Sequence, residues 1–321
     1  MAHLSICSTE SIKSAALSLR AGHLVAFPTE TVYGLGADAS NPDAIAQIYK
    51  VKGRPADHPL IVHISSIAAM DHWARDISEY AITLARDFWP GPLTLVLNRS
   101  HAAKDFITGG QESVGLRVPA HPVALALLEE FKNLDGFGIA APSANRFGAV
   151  SPTSAEAVDE ELSEYLSTDD LILDGGHSLV GVESTIVDCT GPTPMILRLG
   201  AITPLMIEES TGLVALVANP AAIRVSGSLA SHYSPKAKVI LDAIAVSGDG
   251  LIAPDQIPTP NGVMRLASPN SDEEYARVLY QAMREADKKG LSVVVVLQPG
   301  GDGLAAAIRD RLQRSAWTSQ S

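Results

Sequence analysis

The apolar residues of this 321-residue chain fall in short runs, and that brevity decides most of what it can become. The longest candidate, residues 293–297, is far below the roughly 18 residues of a membrane span and suits one buried strand. Between such runs lie helical spacings. Ile12, Ala15, Ala16 and Leu19 recur on one face, and Gly22 supplies a stop. Asn41-Pro42 opens a second helix, with proline at the first helical position. Strands are expected at 24–27, 59–64, 93–97, 114–118, 137–141, 171–173, 185–188 and 195–199. Helices are expected at 8–22, 42–49, 78–88, 122–131, 154–166 and 203–210. This interleaving predicts an α/β fold, a twisted mixed sheet with helices against it.

The texture changes near residue 213. Residues 213–237 are rich in small, polar and turn-forming types and read as a linker or lid between a catalytic domain at 1–212 and a second domain at 238–321. The second domain carries a strand at 238–241, a Gly/Pro-rich loop at 248–262, a helix at 272–289, a strand at 293–297 and a helix at 304–314. That is a small Rossmann-like α/β unit. Charge divides the chain in the same place. Residues 1–220 hold 13 Lys+Arg against 26 Asp+Glu, whereas residues 221–321 hold 11 against 10. An acidic main domain is a poor phosphate-backbone binder, so strong direct binding of nucleic acid is not expected. Its few cations should stand where an anion has to be held. Cys7 and Cys189 form neither a disulfide framework nor a C-x-x-C pair. The N-terminus carries no basic stretch followed by an apolar core, and a cytoplasmic setting is expected.

Three segments can carry chemistry. Residues 28–36 (PTETVYGLG) run from a strand-ending proline into hydroxyls, a tyrosine and two glycines, which offers donors and room for a ligand. A solvated turn is the alternative. Lys52-Gly53-Arg54 puts a point charge and a bidentate fork one residue apart, suited to phosphate, unless it is merely a solvated helix end. Ser143 and Asn145 sit two residues apart after a small apolar strand and would point to the same side of extended backbone, though both are also common turn residues. Arg117 and Arg198 are charges inside otherwise apolar strands. Each should meet either a bound anion or a carboxylate of the protein. His63 is either a satisfied core histidine or a ligand contact, and Ser184 either a ligand contact or a cap. No P-loop, zinc spacing or nucleophile elbow occurs. Residues 301–306 fit G-x-G-x-x-A, but the chain ends too soon after them for the ribose-binding acid of a dinucleotide site.

Read together, PTETVYGLG, KGRPADHPLIVHI, WPGPLTLVL, GLRVPAHP, APSANRFGAVSPT, VESTIVD and LRLGAI resemble, in that order, the YrdC-like L-threonylcarbamoyladenylate synthases. The match runs from about residue 25 to 202. The tail is similar to the family's long form, in which a linker with a His-Tyr-Ser-Pro motif, here residues 232–235, leads to a Rossmann-like domain. The resemblance implies that L-threonine, bicarbonate (or CO2) and ATP yield threonylcarbamoyl-AMP and pyrophosphate, with Mg2+ on the phosphates. It also implies a downstream enzyme that transfers the threonylcarbamoyl group to the adenosine beside a tRNA anticodon. On this resemblance Lys52 and Arg54 are catalytic, and with Ser143, Asn145, Arg198 and Tyr233 they bind nucleotide. Thr31, Tyr33, His63, Arg117 and Ser184 are placed with L-threonine. How Arg117, Ser184 and Arg198 divide between the two ligands is left open. Residues 146–150 and Leu199 depart from the commoner family pattern. The alternatives are a carbamoyl-adenylate step on another substrate, as in hydrogenase-maturation carbamoyltransferases, an RNA-binding module, and the YciO-type paralogues.

Overall fold

The computed structural model describes residues 3–218 and 233–316. Among them, eleven strands form one sheet in the order His3–Ile6, Leu171–Asp174, Val25–Phe27, Gly34–Asp38, Ile139–Ala140, Ile61–His63, Ser113–Arg117, Leu93–Asn98, Thr185–Asp188, Met195–Arg198, Leu216–Val217. Parallel and antiparallel pairs both occur, as in Ile61–His63 against Ser113–Arg117 and Leu93–Asn98 against Ser113–Arg117. The mixed α/β sheet expected from the sequence is therefore the fold. A second sheet of four parallel strands runs Lys238–Leu241, Val293–Val296, Gly250–Ile252, Met264–Ala267. Two of these strands fall in or beside the stretch that reads as a Gly/Pro loop.

The helices begin and end where local chemistry dictates. Ser8 caps Thr9–Arg20, its hydroxyl accepting from Ser11 N while the Ser11 hydroxyl accepts from Ser8 N, and Ala15, Ala16 and Leu19 are its buried face. Asn41 Oδ1 accepts from Asp43 N and Ala44 N to start Pro42–Lys52, a cap that contributes about 1 kcal/mol. Gly53, at φ 61°, ends that helix in the left-handed region. The helix runs to residue 52 rather than 49, so Lys52 is its last residue and not one beyond it.

The strand Gly34–Asp38 is unexpected, because PTETVYGLG reads as a connection after a strand, ligand-binding or a solvated turn. All five residues are buried, and a Cβ on Gly36 would lie 2.8 Å from both Ile139 and Phe27. Packing between two neighbouring strands thus selects glycine and overrides its weak strand preference.

The second unit sits directly on the first. Val32, Val150, Val182 and Tyr233 share one apolar core with Tyr275, Leu279, Tyr280 and Met283 of helix Asp272–Lys288 and with Ile308 and Leu312 of helix Leu304–Ala316. Each such side chain contributes roughly 1.5–3 kcal/mol when fully buried. At Gly181 the two backbones meet, since a Cβ there would lie 2.3 Å from Ala276 O. The expected linker begins with the edge strand Leu216–Val217. Residues 219–232, including His232 of the His-Tyr-Ser-Pro motif, lie outside the described residues. The chain rejoins at Tyr233, and Ser234 N donates to Gly148 O at 3.0 Å. No described helix is long and apolar enough to cross a membrane.

Candidate active site

The end of helix Pro42–Lys52 builds one wall of a pocket. Lys52 is 2% exposed, and its Nζ donates to Ser143 O at 2.6 Å and Asn145 O at 2.5 Å. Burial, and then the Arg54 guanidinium, push its pKa well below the usual lysine range. Arg54 Nη2 donates to Pro59 O at 2.9 Å, and burial brings this guanidinium down to about 10. Between the two cations, a Cβ on Gly53 would lie 2.8 Å from Arg146 Nη2, whose partner nitrogen Nη1 donates to Val51 O. Glycine here serves both the helix stop and this close approach. Opposite, Asn145 Nδ2 donates to Arg146 O and Ala149 O, while its buried Oδ1 meets no donor among the described residues. A buried acceptor in that condition is satisfied by a donor that enters the pocket.

The second wall is an internal polar network. Arg117 Nη2 pairs with Glu30 Oε1 at 2.6 Å, Nη1 donates to Thr31 Oγ1 at 3.0 Å, and Nε donates to Gly91 O at 3.2 Å. Of the two partners open to a buried arginine, Arg117 has the protein's own carboxylate. Thr31 Oγ1 also bonds Thr29 Oγ1 at 2.8 Å. The Tyr33 hydroxyl donates to Gly176 O at 2.7 Å and accepts from Gly175 N, so only its ring faces the pocket unengaged. His63 is buried beside Arg117. Burial first, and that positive charge second, hold its pKa down at about 3, so the imidazole is neutral. Arg198 donates through Nε to Ser184 O at 3.0 Å and through Nη2 to Ser184 Oγ at 3.1 Å, and Ser184 Oγ bonds Thr94 Oγ1. Burial lowers the Arg198 pKa.

Thr31, Tyr33, Lys52, Arg54, His63, Arg117, Ser143, Asn145, Ser184, Arg198 and Tyr233 all line this pocket. Among the other lining residues, Thr29, Phe147 and Glu183 were not among the candidate site residues. Glu183 is the informative one. Its carboxylate accepts from Ser151 Oγ at 2.6 Å, Tyr280 OH at 2.9 Å and Arg311 Nε at 2.9 Å. Burial alone would raise its pKa, but the Arg311 and Arg198 charges outweigh that and hold it at about 2. Its partners on the second unit are 97 and 128 residues away in sequence, so no local pattern could reveal them. The G-x-G-x-x-A loop leads into the helix that carries Arg311. Arg309 holds the loop by donating to Pro299 O and Gly301 O.

Comparison with known proteins places this arrangement. Residues 18–200 match the Sua5–YciO–YrdC family model, described as "Telomere recombination", and residues 202–317 match "Threonylcarbamoyl-AMP synthase, C-terminal domain". The threonylcarbamoyl-AMP synthase of Pyrococcus abyssi is 40% identical, across 95% of this chain and 94% of its own length. That of Bacillus subtilis is 36% identical, across 95% and 92%. A crystal structure of P. abyssi Sua5 complexed with L-threonine superposes with a TM-score of 0.89 at 36% identity, covering 98% of this chain and 97% of that one. With both domains matched in order and the relatives aligned over nearly their whole length, the chain belongs to the Sua5 family of threonylcarbamoyl-AMP synthases, in its long, two-domain form.

Proposed function

We propose that this chain is a threonylcarbamoyl-AMP synthase whose reaction takes place in the pocket around Lys52 and Arg54. The threonine amine and bicarbonate give the carbamate and water. A carbamate oxygen then attacks the α-phosphorus of ATP, the bond to the β-phosphate oxygen breaks, and pyrophosphate leaves. No protein nucleophile is required. The protein has to neutralise charge, align the attack and keep water away from a labile anhydride.

The observation that carries this reading is the convergence of Lys52 and Arg54 with the Ser143–Asn145 segment in one pocket. Lys52, already held by two carbonyls, presents a fixed point charge to the phosphates, and Arg54 presents a fork. An incoming polyanion would raise the depressed pKa of Lys52 and fix its proton. Asn145 Oδ1 would accept from the bound nucleotide or from the threonine moiety. Arg198 and Tyr233 lie on the nucleotide side. Thr31, Tyr33, His63, Arg117 and Ser184 shape the L-threonine side, Arg117 by holding Thr31 and Glu30 in place. Among the described wall residues the one carboxylate, Glu183, is taken up by three protein donors. Mg2+ therefore enters on the phosphates of ATP as part of the substrate. Residues 1–212 would form the catalytic unit, 213–237 the connecting lid and 238–321 the supporting unit. A cytoplasmic setting and transfer of the product to tRNA by a second enzyme complete the reading.

The test is direct. Incubation with ATP, Mg2+, L-threonine and bicarbonate should give threonylcarbamoyl-AMP by mass and one pyrophosphate per product. Omitting either threonine or bicarbonate should abolish pyrophosphate release. Equal release from ATP alone would overturn the assignment.

A further inference from the structure

The pocket wall that carries Ser184 and Arg198 is clipped to the second unit by Arg311, with Tyr280 beside it. Arg311, on helix Leu304–Ala316, is fully buried. Its Nε donates to Glu183 Oε2 at 2.9 Å, and its Nη2 donates to Leu199 O at 2.8 Å and lies 3.5 Å from Glu183 O. One guanidinium thus bridges residues 183 and 199, the neighbours of Ser184 and Arg198. Those neighbours stand where strands Thr185–Asp188 and Met195–Arg198 pair antiparallel with a register shift between Ile196 and Arg198. An irregular ladder fixes its own ends poorly, so an external clip there has work to do.

The same helix holds the aromatic roof. The Arg311 guanidinium lies 5.5 Å from the Tyr233 ring centroid, and Ser315 Oγ donates to Tyr233 O at 2.8 Å. Tyr280 stacks on the Tyr233 ring at 5.7 Å between centroids while its hydroxyl donates to Glu183. Tyr233 has φ 63°, a conformation that a non-glycine residue keeps only when its surroundings hold it.

We propose that Arg311 is a positioning residue for the pocket, fixing Ser184, Arg198 and Tyr233 from the second unit without touching substrate. This rests on the reading that the pocket takes ATP and threonine. An arginine is required because its fork reaches a carboxylate and a separate carbonyl at once, which a lysine ammonium on a flexible stem does not do. The second unit is accordingly part of the site and more than a passenger on it.

Removing Arg311 alone would strand the Glu183 charge, so the first variant is Arg311→Met with Glu183→Gln, which leaves no unpaired buried charge from this pair. The second is Tyr280→Phe, which deletes one hydroxyl and keeps the ring. Steady-state kinetics at a temperature where each variant is folded should give a KM for ATP or threonine raised roughly tenfold in the double variant and about threefold in Tyr280→Phe. A purely structural role would lower the melting temperature and leave KM alone. Hydrogen exchange in the ligand-free chains supplies a readout that asks nothing of the chemistry. Peptides spanning 183–200 should exchange on the order of tenfold faster in the double variant, with residues 25–38 unchanged. If KM and exchange at 183–200 match the parent in both variants, the proposal is wrong. Faster exchange beside a parent that makes no product would support the clip while sinking the functional reading.

Discussion

Arg117→Met offers the sharpest separation between a ligand contact and an internal strut. The Arg117 and Glu30 side chains are 5% and 8% exposed, with Nη2 and Oε1 2.6 Å apart. Deleting the guanidinium leaves Glu30 buried, with Ala120 N at 2.9 Å as its remaining donor among the contacts described. Breaking a buried pair from one side costs about 3–5 kcal/mol. In a chain of this size each kcal/mol moves the melting temperature by roughly 2–4 °C, so a fall on the order of 10 °C is expected. Methionine retains the aliphatic stem, which keeps the cavity contribution small. Adding Glu30→Gln neutralises the stranded carboxylate and still leaves an acceptor for Ala120 N. The double variant should therefore recover most of the loss, giving a coupling of about 2 kcal/mol or more. Thermal unfolding of the parent, both single variants and the double variant measures this cycle directly. Additive single effects, with the Arg117→Met melting point unchanged and the threonine KM raised, would refute the strut and return Arg117 to the ligand.

Two further outcomes follow from the other wall. Lys52→Met should lower kcat/KM about 100-fold or more, the usual loss when a transition-state charge contact is removed. Its stability should change little, because two lost hydrogen bonds are offset by relief of a buried cation; a variant within threefold of the parent rate would contradict the phosphate role. His63 stays neutral in the fold down to a pKa of about 3 against an ordinary 6.5. Between those values the unfolded chain holds a proton that the folded chain lacks, so stability falls as pH drops, by up to about 1.4 kcal/mol per pH unit. His63→Gln should flatten that slope in denaturant titrations, and identical slopes would show that His63 titrates freely in the fold.

The alternation of short apolar runs and helical spacings was enough to read the mixed sheet, since each run met its helix at the expected place. The Lys52-Gly53-Arg54 wall was also legible, because a glycine between two cations at a helix end has a local meaning. What escaped was set by distant contacts. Gly34–Asp38 has little strand propensity of its own and is a strand because Val25–Phe27 and Ile139–Ala140 flank it. Arg311 reads as an ordinary charge on an amphipathic helix, and only tertiary placement brings Glu183 and the Leu199 carbonyl to it. The short strands Gly250–Ile252 and Met264–Ala267 were hidden by the glycines and prolines around them.

The far edge of the main sheet bears on how the first unit behaves alone. Leu216–Val217 is only two residues long and mostly exposed, yet it covers Met195–Arg198: Leu216 N donates to Pro194 O and Ala218 N to Ile196 O. A chain shortened before residue 213 would leave this four-residue, largely apolar strand paired only with Thr185–Asp188, with its outward-facing backbone groups bared. Such an edge is a template for pairing with another copy of itself. Ending the first unit at residue 218 keeps that strand capped, so its solubility and self-association should turn on six residues that touch no substrate.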